Sequence, residues 1–107
     1  MKLGGNTLKA ELKKGVFELF VLAILTKGNS YGYKIVSDLS AYIDITESTL
    51  YPILRRLEKD DHLDTYNELY QNRNRKYYRI TQKGREYLDS YLEEWEDIKK
   101  IYQILMN

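Results

Sequence analysis

Two adjoining segments constrain this chain more than any other feature. One is amphipathic, Ser48-Thr49-Leu50-Tyr51-Pro52-Ile53-Leu54-Arg55-Arg56-Leu57-Glu58-Lys59-Asp60, and the other is basic and β-prone, Asn72-Arg73-Asn74-Arg75-Lys76-Tyr77-Tyr78-Arg79-Ile80-Thr81. At about 100° per residue, Leu50, Ile53, Leu54 and Leu57 fall on one face of the first segment. Ser48, Pro52, Arg55 and Lys59 fall opposite, flanked by Tyr51 and Arg56. A helix over Glu47 to Asp60 therefore packs on one side and presents a polar, basic surface on the other. Thr46 is placed to cap it, and Glu47 puts an acid in its first turn, where the helix dipole favours one. Pro52 lies close enough to the start for its missing N–H to be a local loss, with a slight bend expected there.

The second segment reads as half of a β-hairpin. Leu63 to Leu69 and Lys76 to Ile80 are rich in Tyr, Thr, Leu and Ile, and Asn72-Arg73-Asn74 supplies residues suited to a turn. From Gln71 to Arg79 there are four basic residues and no acid, although the whole chain carries a formal charge of only +1. Positive charge gathered in this way is what phosphate binding requires.

With 107 residues the chain forms one domain, small enough that a dimer would add useful burial. Its 43% hydrophobic and 31% charged composition is that of a soluble globular protein. No apolar run approaches the roughly 18 residues of a membrane span, and no signal-peptide core follows Met1-Lys2. A cytoplasmic location without membrane contact is expected. Without cysteine there is no disulfide framework, thiolate zinc site or cysteine redox switch, and no metal or cofactor is expected.

Leu8, Leu12, Val16, Leu19 and Ala23, with Phe17, Phe20 and Ile24 as a second stripe, predict a first helix from Thr7 to Lys27 buried on more than one side. Gly28-Asn29 ends it, Ser30 is positioned to cap the next, and Ile35, Val36 and Leu39 mark a second helix from Tyr31 to about Tyr42. After the hairpin, over roughly residues 63–81, Thr81 caps a last helix. In that helix Leu88, Tyr91 or Leu92, Trp95, Ile98, Tyr102 and Leu105 follow the spacing of a coiled-coil-like seam. The order is three helices, two strands and a helix, which is a winged helix-turn-helix, mainly α with a small β-hairpin.

The local wording resembles the PadR family of transcriptional regulators. The residues that carry the resemblance are Ser30-Tyr31-Gly32-Tyr33 before Ile35, Thr49-Leu50-Tyr51-Pro52 with Leu54, Arg56-Leu57-Glu58-Lys59-Asp60, and Arg75-Lys76-Tyr77-Tyr78-Arg79-Ile80-Thr81 with Gly84. A single C-terminal helix bearing a Trp is similar to the smaller branch of that family. The resemblance implies a homodimeric repressor on a palindromic operator near its own or a neighbouring gene, released by a small molecule. It divides the chain into a DNA-binding domain, residues 1–81, and a dimerisation helix, residues 82–107, packed with the partner's first helix. In two respects the chain departs from the family. Asp61-His62 stands where Gly usually follows the recognition helix, and Asp61 can reach φ > 0 at some cost. The wing tip is also less Gly-rich, which favours Arg75 and Lys76 over Arg73 as contacts.

On this reading Ser48, Tyr51, Pro52 and Arg55 enter the major groove of double-stranded DNA, while Thr49 and Arg56 flank them near the backbone. Arg73, Arg75 and Lys76 act from the wing. Of Tyr31, Tyr33 and Lys34, at a helix N-terminus suited to phosphate, one tyrosine packs and the other approaches the backbone. Trp95 has two readings, a dimer-core aromatic or half of a paired-Trp slot for a planar aromatic molecule. By resemblance that slot is lined by Leu12, Val16, Leu19, Leu92, Trp95 and Lys99, and Lys99 favours a neutral or anionic ligand.

The six carboxylates from Glu86 to Asp97 spread around their helix without a nearby His or Cys, so they read as a solvated face that turns away from DNA. His62, the sole histidine, reads as solvent-facing or structural. No nucleophile-base pair, metal cluster or phosphate-cradling Gly loop is present to suggest an enzyme. Two alternatives are a DNA-binding autoregulator without a ligand and a winged helix used for protein interaction. The second would need an apolar exposed third-helix face where Ser48, Arg55 and Lys59 stand.

Overall fold

The computed structural model describes Leu3, Gly4 and residues 10–107, with side chains from residue 15 onward. In chain order the elements are β1 (Leu3–Gly4), α1 (Ala10–Leu25), α2 (Gly32–Leu39), β2 (Ile43–Asp44), α3 (Glu47–Lys59), β3 (Leu63–Tyr70), β4 (Arg73–Ile80) and α4 (Gln82–Met106). This is the winged helix-turn-helix read from the sequence. Phe17, Val21, Leu22 and Leu25 of α1 are buried, with Val16, Leu19, Phe20 and Ile24 partly buried against them, whereas Ala23 of the first expected stripe is exposed and Val21, Leu22 and Leu25 stood in neither stripe. Each such side chain contributes about 1.5–3 kcal/mol when fully buried. The Thr26 hydroxyl donates to the Ala23 carbonyl at 2.7 Å and closes the helix at Leu25, short of the expected Lys27. Thr7 and Leu8 lie outside the described residues, as does the side chain of Leu12.

The second helix is shorter than expected and is capped differently. Its N-cap is Tyr31, without a side-chain cap, and it ends at Leu39. Ser30 instead exchanges backbone hydrogen bonds with Tyr78, at 3.2 and 2.7 Å, so pairing with the wing displaces the expected capping role. At the other end the Ser40 hydroxyl donates back to the Val36 carbonyl at 2.6 Å. The chain then turns into β2, which pairs in parallel with β1, Leu3 opposite Ile43. This two-residue ladder had no sequence signal, because strands so short carry no alternation to read.

The four apolar positions read from α3, Leu50, Ile53, Leu54 and Leu57, are all buried. Thr46 caps the helix, its hydroxyl accepting from the Thr49 N–H at 3.3 Å. At the far end Asp61 takes φ 62°. The Asp61 N–H donates to the Glu58 carbonyl and the His62 N–H to the Leu57 carbonyl, at 3.0 and 2.8 Å. That pair of bonds is a Schellman cap, with Asp in the left-handed position usually held by Gly.

The wing runs in register from Leu63 opposite Ile80 to Tyr70 opposite Arg73. Its turn is Gln71-Asn72, at φ 49° and 63°, rather than the expected Asn72-Arg73-Asn74. Two adjacent positive φ values are the signature of the tight type I′ turn, whose twist matches the strands. Arg73 and Asn74 are thereby drawn into β4. Thr81 caps α4, accepting from the Gly84 N–H at 3.0 Å, and its own hydroxyl donates to the Asp61 carbonyl at 2.7 Å. Of the 25 residues in α4, only Gly84 and Leu88 are buried, both near its start. The rest extends outward in a molecule of 60 × 30 × 21 Å.

Candidate nucleic-acid interface

At the start of α3, Ser48, Thr49, Tyr51, Pro52 and Arg55 are exposed together, opposite the buried leucines. Tyr51 is only 37% exposed, and its ring lies over Gly32, where an added Cβ would collide with the tyrosine hydroxyl. That contact sets the approach of α2 to α3. The tyrosine thus packs on one side and remains part of the exposed surface on the other.

Arg56 departs from expectation. It does not flank the exposed surface as a free cation, because its Nε donates to Glu18 Oε1 of α1 at 2.6 Å and its Nη2 is buried. One residue further round the helix than Arg55, it faces the body of the protein. The i to i+1 step of about 100° separates a surface arginine from an inward one.

In the second helix the structure separates the two tyrosines. Tyr33 is 71% exposed. Tyr31 packs edge-on to Tyr77, ring centroids 5.4 Å apart. Lys34 is exposed and bonded to Asp38 one turn on, at 2.8 Å, which holds its proton above the ordinary lysine range. Tyr33 is thus the tyrosine free to meet a phosphate.

The wing's cations also divide. Because side chains alternate across a strand, Arg73, Arg75, Tyr77 and Arg79 share one face and Lys76, Tyr78 and Ile80 the other. The Arg75 guanidinium lies 4.0 Å from the Tyr31 ring centroid and 3.9 Å from that of Tyr70. Tyr66 stacks on its register partner Tyr77, and Arg79 lies over Tyr66 at 5.2 Å. Asn29 donates to the Tyr66 hydroxyl at 3.1 Å. Lys76, on the other face, approaches Glu58 of α3 at 3.5 Å. Among the described residues Arg55, Lys59 and Arg73 make no salt bridge. Within the chain Arg73 is exposed without a salt bridge among the described residues, whereas Arg75 and Lys76 have partners. The aromatic clamp was missed because it joins residues some forty positions apart.

The model of the PadR-like family of transcriptional regulators matches residues 21–90, which takes in α2, α3, the wing and the start of α4. The chain belongs to this family. It is 32% identical to a PadR-like transcription factor from Bacteroides fragilis, covering 90% of this chain and 95% of that one with a TM-score of 0.81. A PadR family transcriptional regulator from Eggerthella lenta is 33% identical, with coverage of 91% and 87% and a TM-score of 0.81. An uncharacterised protein from Lysinibacillus sphaericus is 31% identical over 104 residues, which is 92% of this chain and 95% of that protein. Members of the PadR-like family are regulators that act by binding DNA, not enzymes. No helix among the described residues is long and apolar enough to cross a membrane.

In this PadR-like chain the expected ligand residues lie along α1 and the exposed seam of α4. Val16 and Leu19 are half-buried against the core, while Leu92, Trp95 and Lys99 face outward, Trp95 being 37% exposed. Ile98, Ile101, Tyr102, Ile104 and Leu105 continue the apolar surface to the end of the helix. His62 is buried with its ring stacked on Tyr87 at 4.3 Å, the structural of its two readings.

Proposed function

We propose that this PadR-like regulator is a homodimeric repressor that reads a palindromic operator and is released by a planar aromatic molecule at its dimer axis. The observation that carries this reading is the apolar surface of α4, Leu92 through Leu105, left exposed on a helix that projects from the folded body. An exposed stripe of that length costs free energy in a monomer, and a second copy is the natural cover for a coiled-coil-like seam. Residues 1–81 then serve as the DNA-binding unit and residues 82–107, packed with α1 of the partner, as the dimerisation unit.

In such a dimer the exposed starts of two α3 helices enter successive major grooves about 34–36 Å apart. Ser48, Tyr51, Pro52 and Arg55 face base edges, with Thr49, Tyr33 and Lys34 near the backbone and Arg73 reaching from the wing. The two Trp95 rings meet near the symmetry axis, beside Val16, Leu19, Leu92 and Lys99. Two lysines there favour a neutral or anionic aromatic ligand over a cationic one. An inducer that weakens DNA binding must itself bind the DNA complex more weakly by the same factor.

The test is a titration of Trp95 fluorescence with planar aromatic compounds, alongside gel shift on DNA upstream of the chain's own gene. Quenching that tracks release of DNA supports the reading. A specific shift without quenching by any compound favours the second reading, an autoregulator that reports its own concentration with Trp95 as packing.

A further inference from the structure

Among the described residues Glu18 is the only acidic side chain that is buried, 8% exposed on α1 amid Phe17, Val21 and Leu22. Its two carboxylate oxygens are divided between two other helices. Oε1 accepts from Arg56 Nε of α3 at 2.6 Å, and Oε2 accepts from the Tyr87 hydroxyl of α4 at 3.3 Å. Tyr87 in turn stacks on His62, just beyond the end of α3, and meets Tyr91 edge-on at 5.7 Å. Among the described residues this is the only side-chain hydrogen-bond network that spans three helices.

A partly buried ion pair of this kind is poor evidence for stability, since well-packed apolar residues of similar volume commonly do as well or better. What it supplies is direction. A guanidinium held at its Nε restricts the roll of α3 about its own axis far more than a leucine in a greasy pocket does. That roll decides where Arg55, the next residue back, and Ser48 and Tyr51 point. The other arm of the same carboxylate is held by the helix that carries the exposed seam.

We infer that Glu18 is a positioning residue for DNA recognition, through which α4 sets the roll of the recognition helix by way of Tyr87 and Arg56. The inference deepens the DNA-binding reading of α3 and rests on it, but needs neither a ligand nor a particular operator. It also places Arg56 outside the set of phosphate contacts.

The test uses the full chain and a DNA fragment selected from a random-sequence pool by the wild-type protein. Affinity is measured over a range of salt for wild type, Glu18→Gln, Tyr87→Phe and the double variant, with the active fraction counted by stoichiometric titration. The expected result is an affinity about tenfold lower in folded Glu18→Gln, within the usual range of coupling between sites. The slope of log K against log salt stays unchanged, since no phosphate contact is removed. Tyr87→Phe moves the same way by less, and the double variant is no worse than Glu18→Gln alone. Tyr87→Phe removes a single hydroxyl and leaves the Glu18–Arg56 pair whole, so it carries the test if Glu18→Gln unfolds.

Two outcomes overturn the inference. Tighter binding with a steeper slope in Glu18→Gln would make Arg56 a phosphate contact restrained by Glu18. Unchanged affinity of the active fraction, with only a lower melting temperature, would make the network purely structural. A wild-type protein that enriches no sequence from the pool would instead remove the DNA-binding reading itself.

Discussion

The Arg75 guanidinium of the wing lies over the ring of Tyr31, the N-cap residue of α2, with 4.0 Å between charge centre and ring centroid. The same guanidinium lies 3.9 Å from the ring centroid of Tyr70. The arrangement ties a projecting two-stranded ribbon, unstable by itself, to the helical body. Tyr31→Ala is expected to loosen the wing while leaving the helices intact. Hydrogen exchange at the amides of β3 and β4 beyond Tyr66 checks it: these should speed up, and the α3 amides should not. Arg75→Lys should show the same loosening, because an ammonium lacks the planar, delocalised group that stacks on aromatic rings.

Arg55 and Arg73 are the cations whose removal should be felt most directly by DNA, and in different ways. Arg55→Ala is expected to cost about 1–3 kcal/mol on the preferred sequence and little on random DNA, if it reads a base edge. Arg73→Ala should weaken binding evenly on all sequences and reduce the salt slope by about 0.9 for each phosphate it no longer neutralises. Competition binding at several salt concentrations separates the two. Equal losses on every sequence for Arg55→Ala would place that residue on the backbone instead.

Gly84 stands where α4 passes the connection after α3. A Cβ there would run into the His62 carbonyl and the Ile80 side chain, and the carbonyl is backbone that cannot swing aside. Gly84→Ala is therefore expected to destabilise the fold by about 1–3 kcal/mol, despite the better helix propensity of alanine. Urea unfolding measures it. A neutral or stabilising result would show that α4 can shift at its first turn without cost.

Tyr87 gives the protein a pH dependence at its alkaline end. Burial chiefly, and then the neighbouring Glu18 carboxylate, push its phenol up to about 12. Burial moves Tyr78 and Tyr91 the same way. Since an unfolded tyrosine ionises near pH 10, the folded chain holds more protons than the unfolded one above that pH, and stability falls as pH rises. The contribution is intact below about pH 10 and is lost as pH climbs toward about 12. Unfolding between pH 9 and 11.5 should show this decline, and Tyr87→Phe should make it shallower.

The distal half of α4 should govern self-association. Ile98 and Leu105 are 57% and 77% exposed. A charge at either position would be carried into the proposed seam without a partner, so Ile98→Glu or Leu105→Glu is expected to yield a folded monomer with weakened DNA affinity. Sedimentation and circular dichroism test it together. A variant that remains dimeric would move the interface elsewhere on the chain.

Much of this protein was determined locally. The apolar spacing of Leu50, Ile53, Leu54 and Leu57, the caps at Thr46 and Thr81, and the positive φ tolerated by Asp61 are properties of a few neighbouring residues, and each is found as the sequence implied. The order of helices and wing followed from them, while the family followed from the wording of the local motifs. The tertiary structure decided what depends on residues distant in the chain. Whether Arg55 or Arg56 meets solvent turned on a carboxylate 38 positions before Arg56. Tyr31 rather than Tyr33 became the packed tyrosine because the wing folds back to offer it Tyr77 and Arg75. Ser30 lost its capping role to a bridge with Tyr78, and a two-residue ladder with β1 followed the shortened α2. Periodicity tells which face of an element is apolar, but not which charge across the fold will claim a polar side chain, because that is set by distances only the packed chain creates.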